Sequence, residues 1–360
     1  MASARRRRER WLPVTQKDTK DFIPTLDSIF KIARFFGITS YGFTIAFSWS
    51  FILFIMLVTM EAWAIWKLVR IVTGRTTYMK FSGSMVSTRL SGSIFYGNAL
   101  MSLLLSSKFV HAWQSLSLSW LHTENPSGLT LPSDVAVKRR VIFVTSLVAS
   151  GAFIEHMLSM MSATDFNIPP GEYFKRYVLR SHSFVLRPSD YNLWIGIPIF
   201  LLGKLATALW NFQDLIIILI SMGLTSCYHK LNLLEQISAQ GYKHGVVSEK
   251  PLYVKQDCRG NGSTISHAYH LLSLSWLIVR ACSVVLAAAD VHIHSKRALN
   301  FLSSCPSSAY NIEIKRLQYQ LTHDFVALSG MGFFSLRRGL LLEVVAAIIK
   351  YELVLIQYDT

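Results

Sequence analysis

Charged residues are scarce in this chain. Of its 360 residues, 16% are charged and 51% are hydrophobic, and the mean hydropathy is +0.35. A soluble globular domain usually carries about 25% charged residues. The composition therefore argues against a soluble protein and favours a polytopic membrane protein.

Motifs that would indicate an enzyme or a metal site are also lacking. The sequence contains no GxxxxGK[ST], no HExxH and no GxSxG between a strand and a helix. Four cysteines, Cys227, Cys258, Cys282 and Cys305, have neither CxxC nor metal-ligand spacing, and they indicate ordinary thiols. We therefore expect no catalytic residue, no metal and no cofactor.

Six apolar stretches are long enough to cross the roughly 30 Å of hydrocarbon in a bilayer, which takes about 20 residues of helix. They lie at 43–66, 92–115, 141–163, 192–226, 268–290 and 339–358. Because these stretches are continuously apolar, they differ from the short alternating strands of outer-membrane barrels. The predicted fold class is all-α, a polytopic transmembrane helix bundle.

Positive charge dominates the rest of the chain. There are 36 Lys and Arg against 21 Asp and Glu, a net charge of +15. In a membrane protein such an excess indicates basic loops that contact anionic lipid, so we expect membrane lipid and no nucleic acid as a partner. Residues 1–42 begin with MASARRRRERW and lack the early apolar run of a secretory signal, which predicts a cytoplasmic basic tail.

Loop charges indicate that one helix is missing. Cytoplasmic loops should carry the excess of Lys and Arg. Six alternating helices divide the loop charges 17 inside against 15 outside, but placing 291–338 inside as well gives 23 against 9. That placement needs a further crossing between 227–267 and 291–338, and 227–267 holds no apolar run of sufficient length. The pattern is that of a seven-helix protein with a helix deficit at 227–267.

Polar residues recur along the last predicted span. Glu343, Lys350 and Gln357 are spaced by seven residues, so they share one stripe of a helix, with a drift of about 20° per heptad. Glu352 lies off this stripe. Ionisable groups inside a membrane usually face the bundle interior or a water-filled path. The stripe therefore indicates either a pore or polar contacts with neighbouring helices.

Other polar groups interrupt the predicted spans, and each belongs either to a functional site or to a structural ion pair. They are Glu155, His156, Lys204, Asp214 and Arg280. Aromatic residues on the same spans would suit a polar ligand with an apolar face, such as a sugar, although tryptophan is also common at membrane interfaces. These residues are Tyr96, Trp194, Trp210 and Trp276.

The closing segment VALSGMGFFSLRRGLLLEVVAAIIKYELVLIQY resembles the end of insect gustatory receptors. The last helix of that family carries a Thr-Tyr pair, five mostly apolar residues and then Gln-Phe. Tyr351 and Gln357 fit this spacing, and Glu352 followed by LVLIQ is similar to the sugar-receptor branch. Earlier segments, among them IFYGNALMSLLL, FIEHMLS, WNFQDLIIILISMGL and SWLIVRACSVVLAAADVHIHSKRAL, are similar to the preceding helices of sugar receptors.

The resemblance implies a taste receptor, not an enzyme, that acts as a ligand-gated non-selective cation channel for sugars or related small polar tastants. It implies seven helices, a homo- or hetero-tetramer with related gustatory receptors, and a location in the cell membrane of a sensory dendrite. The pore would be lined by Glu343, Lys350, Gln357 and Tyr358. The candidate ligand-binding residues, in the outer half of the bundle, are Tyr96, Asn98, Glu155, His156, Trp210, Asp214 and Trp276.

This resemblance divides the chain into the tail 1–42, a ligand-binding bundle at 43–290, a cytoplasmic anchor at 291–338 and a pore-lining helix at 339–360. The sequence departs from the family at three places. The fifth helix is missing from 227–267, Lys350 replaces the signature Thr, and Tyr358 replaces Phe. The departures leave open an alternative, a truncated and non-conducting family member or an auxiliary subunit.

Overall fold

The described part of the chain is almost entirely helical. The computed structural model describes residues 22–39, 45–73, 83–124, 135–164, 169–186, 188–239, 264–303, 311–323, 326–330 and 334–359. Within these ranges the α-helices are α1 (Phe22–Ala33), α2 (Ile45–Val72), α3 (Gly83–Glu124), α4 (Val135–Ala163), α5 (Pro170–Ser181), α6 (Leu193–Ala239), α7 (Thr264–Ser303), α8 (Ile312–His323) and α9 (Leu340–Asp359). The predicted all-α fold class is confirmed.

Within the described residues, four helices are long and apolar enough to cross a membrane. They are Ile45–Arg70, Ala136–Ala163, Leu193–Lys230 and Leu271–Arg297. These helices coincide with four of the predicted spans, and the chain is a multi-pass membrane protein. The predicted span 92–115 is helical within α3, but Asn98, Lys108 and several serines lower its hydropathy. The predicted span 339–358 coincides with α9. The side chains from residue 351 onward are not among those that the structure describes.

The first helix is packed into the bundle. Leu26 of α1 is fully buried, and Phe30 contacts the rings of Phe109 and Trp113 on α3 and of Phe212 on α6. The Trp113 indole donates a hydrogen bond of 2.8 Å to Asp27. Residues 22–33, which belong to the predicted tail, are therefore part of the core, whereas residues 1–21 lie outside the described residues.

A glycine turn joins α1 to the bundle. A 3-10 turn at Arg34–Phe36 ends at Gly37, which has a φ of 82°. This left-handed conformation is strained for L side chains, and an added Cβ would lie 2.6 Å from Leu53. Gly37 thereby allows the chain to turn back toward the start of α2.

The long helices run in two directions. On α3 and α6, Ser106 donates to Gln213 at 2.8 Å, and Trp120 lies against Gly223 further along both helices, so these helices are parallel. On α4 and α7, Glu155 accepts a hydrogen bond from Ser273, whereas the earlier Gly151 contacts the later Trp276, so these two are antiparallel. We call the end at which α6 begins the upper end and the opposite end the lower end.

Helices α6 and α7 are also parallel. Asp214 and Arg280 form an ion pair, and the rings of His229 and His294 lie 6.1 Å apart further along both helices. The offsets in residue number are 66 and 65, so the two helices stay in register over about four turns. The C-terminal halves of both helices therefore lie at the lower end.

The segment after α7 packs against the lower end of that helix. The Lys296 amine contacts the Leu321 carbonyl, His292 lies 2.8 Å from the Val326 carbonyl, and Arg338 pairs with Asp290 at 3.1 Å. Two short antiparallel strands, β1 (Ser329–Gly330) and β2 (Phe334–Ser335), form a hairpin just before α9. These contacts fix the position at which α9 begins.

Candidate functional site

Five polar side chains meet in the upper half of the bundle. We call them the upper polar cluster: Tyr96 on α3, His156 on α4, Tyr177 on α5, His182 in the turn after α5, and Lys204 on α6. Tyr96 is fully buried and His182 is buried. The Tyr96 hydroxyl and His182 Nε2 lie 3.0 Å apart, which is hydrogen-bonding distance.

Lys204 joins three helices. Its amine donates a hydrogen bond of 3.0 Å to the Tyr177 hydroxyl and is in close contact with the His156 ring. The Phe200 and Tyr177 ring centroids lie 4.2 and 4.6 Å from the same amine, within the range of cation–π attraction. The α4, α5 and α6 helices are therefore joined here through one cation and neutral partners.

Gly203 has no side chain, and this allows His182 and Tyr96 to pack closely against α6. A Cβ added at Gly203 would lie 3.2 Å from His182 Nε2 and 3.7 Å from the Tyr96 hydroxyl. The Tyr96–His182 pair thus packs against α6 at Gly203, and the Lys204 amine lies near enough to His182 to act on it electrostatically. The five residues form one continuous polar region.

His182 follows the helix that carries Tyr177. Helix α5 begins with Pro170 at its first position, where a missing N–H costs nothing, and ends at Ser181. The amides of Val185 and Leu186 then donate to the His182 carbonyl at 2.9 Å. Burial, assisted by the nearby Lys204 amine and only partly offset by a backbone hydrogen bond at Val178, lowers the pKa of His182 to about 4. His182 is therefore neutral at pH 7.

A second polar group lies lower in the bundle, between α6 and α7. Arg280 Nε donates to Asp214 at 2.9 Å, and the guanidinium lies 5.1 Å from the Trp210 ring centroid. The Arg280 side chain is 6% exposed and that of Asp214 is 23% exposed. Asp214 and Arg280 thus form an ion pair, and the role of Asp214 in ligand binding stays a prediction.

The other candidate ligand residues are dispersed. Glu155 accepts a hydrogen bond of 2.8 Å from Ser273, and Trp276 packs near it against Gly151. Asn98 is exposed, and Trp194 is 84% exposed at the start of α6. The structure therefore brings Tyr96 and His156 together, holds Trp210 beside Asp214, and leaves Asn98 apart.

Three polar residues near this region were not among the candidate ligand residues. Tyr177 and His182 lie between the predicted spans, so neither is a polar or aromatic group inside a predicted membrane helix. Glu61, by contrast, is a lone carboxylate inside the first predicted span, a signal that was available in the sequence. It accepts a hydrogen bond of 2.6 Å from Ser93, and its second oxygen is buried without a hydrogen-bond partner among the described residues.

The candidate pore residues lie on α9. Glu343 and Lys350 are both exposed on this single chain, and neither forms an ion pair with another described residue. Gln357 and Tyr358 lie on the last turns of α9, and their side chains are outside the described part. The surface of α9 that carries Glu343 and Lys350 is therefore not covered by the rest of the described chain.

Comparison with known proteins shows that the chain is similar to insect taste receptors. The chain is 27% identical over 304 positions to the Drosophila melanogaster gustatory receptor for sugar taste 64f, covering 74% of this chain and 65% of that protein. It is 28% identical over 315 positions to gustatory receptor for sugar taste 64a of the same species, covering 74% and 69%. Gustatory receptor 5a for trehalose, also from D. melanogaster, is 24% identical over 307 positions, covering 74% and 68%.

The chain spans about two-thirds of the length of these curated relatives. The sequence model of the trehalose receptor family matches it in two segments, residues 43–247 and 254–360. The break between the segments lies inside 227–267, where the loop charges indicate a missing helix. Because the matched segments cover most of the chain, the protein belongs to the trehalose receptor family.

Proposed function

We propose that this protein is a taste receptor that binds a sugar or a related small polar tastant and opens a non-selective cation channel. The upper polar cluster is the observation that carries the ligand part of the proposal. It presents hydroxyl, imidazole and amine groups beside the rings of Phe200 and Tyr177. A small number of polar groups on an apolar, aromatic wall is the usual chemistry of a small-molecule site.

The channel part of the proposal depends on α9. Its uncovered polar stripe supports a position facing a shared lumen, in which Glu343, Lys350, Gln357 and Tyr358 line the pore of a tetramer of this chain or of this chain with related receptors. Ligand binding in the upper half would shift the bundle toward a state in which α9 moves outward and an apolar constriction fills with water. The ligand must prefer that open state, because equal affinity for both states changes nothing.

Expression in a cell line tests this function. The chain is expressed alone and together with a related sugar receptor, surface delivery is verified, and currents are recorded while sucrose, glucose and trehalose are applied. We expect an inward cation current in at least one combination and no response to equal osmolarity of urea. Absence of current in every combination, with the protein at the surface, contradicts the channel proposal for this chain. Labelling of the intact cell surface also checks the proposed location in the cell membrane. In the animal, we propose that this membrane is that of a sensory dendrite.

A second candidate function is a non-conducting member or auxiliary subunit, and the parallel register of α6 and α7 favours it. The register places Thr264 beside about residue 198 of α6, so Thr264 and Ala239 are about 60 Å apart along the axis. The intervening 24 residues would rise only about 36 Å as one helix. A single helical crossing of that length cannot connect the two ends, so this chain would lack a crossing that a conducting subunit needs.

A further inference from the structure

Lys204 is a cation without an anionic partner. Its amine contacts the His156 ring, the Tyr177 hydroxyl and the Phe200 ring, none of which is a carboxylate. No carboxylate of a described residue lies within ion-pairing distance of it. Arg280, which lies in the same bundle, is by contrast paired with Asp214. An uncompensated charge in a membrane-embedded helix is costly, so an anion that reached Lys204 would be stabilised.

The donors of Lys204 are not all used. A protonated lysine has three N–H donors and no acceptor. The amine contacts the His156 ring, at Nε2 and at 3.4 Å from Nδ1, and the Tyr177 hydroxyl, and among the described residues only these two accept from it, which leaves one donor for a ligand. A carboxylate is an acceptor only, and hydrogen bonds to an ionised group are about twice as strong as neutral ones. The free donor and the missing counter-charge thus favour the same kind of ligand group.

We infer that the upper polar cluster binds a sugar or polyol that carries a carboxylate, and that Lys204 receives this carboxylate. The inference rests on the proposed receptor function and narrows its ligand class from sugars in general to sugar acids. The Phe200 and Tyr177 rings, which lie next to each other beside the amine, provide apolar surface for the C–H groups of the ligand. The Tyr96–His182 pair, next to Gly203, provides polar groups for its hydroxyls.

Direct binding to the purified full-length chain tests the inference independently of conduction. The chain is placed in nanodiscs of phosphatidylcholine, and the affinities of glucuronate, its methyl ester and glucose are measured at pH 7 with radiolabelled ligands. The ester retains the size of the acid but not its charge. We expect glucuronate to bind at least about tenfold more tightly than the ester, the effect of one charged hydrogen bond.

Two variants of Lys204 and one control locate the effect. Lys204→Met removes the charge at nearly constant length and should abolish the preference for glucuronate, whereas Lys204→Arg should retain it. Lys175 on α5 is exposed, with its amine 5.6 Å from the Tyr191 ring centroid, and Lys175→Met should leave the preference unchanged. Circular dichroism and gel filtration verify that each variant is folded.

The outcomes separate this inference from the function on which it rests. Equal binding of the acid and the ester by the wild-type chain overturns the inference and leaves the sugar receptor intact, and this comparison needs no variant. Retention of the preference by Lys204→Met also overturns it. Competition by anionic phosphatidylglycerol would assign Lys204 to a lipid phosphate instead. Failure of all three ligands to bind contradicts the proposed function itself.

Discussion

The rings of His229 and His294 lie beside each other, with their centroids 6.1 Å apart. Because His229 belongs to α6 and His294 to α7, and Asp214 and Arg280 pair about four turns earlier, the two helices must run in the same direction. Two consecutive helices that span the same membrane in the same direction require a crossing between them. Loop charges in the sequence favour the same arrangement.

Cross-linking tests the parallel register. The double variant His229→Cys and His294→Cys should be joined by a short bifunctional methanethiosulfonate cross-linker, because the two side chains lie beside each other on neighbouring helices, with their ring centroids 6.1 Å apart. Each single variant serves as the control for pairing with a native cysteine. A mobility shift on a reducing and non-reducing gel measures the product, and its absence in the double variant would refute the register.

Adding a crossing should restore conduction. An insertion of about 20 apolar residues between Ala239 and Thr264 supplies one membrane span. We expect a sugar-evoked current from the extended chain and none, or much less, from the present chain. An insertion of equal length made of Gly and Ser is the control, and an equal current from the two extended chains would exclude a missing helix as the cause.

The Asp214–Arg280 pair should matter mainly for stability. Asp214→Asn or Arg280→Gln leaves one largely buried group without its partner, which typically costs about 3–5 kcal/mol. Replacing both residues, with Asp214→Leu and Arg280→Met, should recover most of the loss, because no unpaired charge remains. Thermal unfolding in nanodiscs measures these changes. Full stability of both single variants would be evidence against a structural ion pair.

Acid should destabilise the protein through His182. The pKa of this residue is about 4 in the folded state against an ordinary 6.5, so the unfolded chain binds the proton first as the pH falls. Neutral His182 therefore makes its full contribution to the free energy of unfolding above about pH 6.5. Between pH 6.5 and pH 4 this contribution falls by about 3 kcal/mol in total. A His182→Gln variant should flatten this part of the profile of melting temperature against pH.

Exposed His323 is the matched control for that profile. His323→Gln should leave the dependence on pH unchanged, since His323 lies on the surface of α8. An identical acid profile for wild type and His182→Gln would show that other groups govern acid stability.

Lys350 should limit the passage of cations if α9 lines the pore. Lys350→Thr removes a positive charge from the proposed conduction path, and we expect a larger single-channel conductance. The exposed residue Lys315 on α8 provides a control, Lys315→Thr. An unchanged conductance in the Lys350→Thr channel would place this residue outside the lumen.

The helices could be predicted from the sequence because their signal is local. Runs of about 20 apolar residues identify a membrane helix without knowledge of its neighbours. The burial of α1 could not be predicted in this way, because α1 is short and follows a basic tail, and only the rings of Phe109, Trp113 and Phe212 show where Phe30 packs.

The candidate site was harder to predict for a similar reason. Tyr96 and His156 stood out as polar or aromatic residues inside spans, but His182 lies between spans and has its role only through contact with Tyr96. Asp214 and Arg280 are equally prominent in the sequence, and only their distance shows that each satisfies the other. Two residues that pair across helices and lie 66 positions apart in the chain leave no local pattern in the sequence.

The aromatic contact of Phe30 also has a mechanical consequence. Its ring touches Phe109 and Trp113 on one long helix and Phe212 on another, and the side chain is only 5% exposed. These two helices cannot part at the lower end without drawing Phe30 out of its aromatic surroundings. The short N-terminal helix thus connects α3 and α6 at the lower end. Any widening there would have to expose the buried Phe30 ring, at the free-energy cost of that exposure.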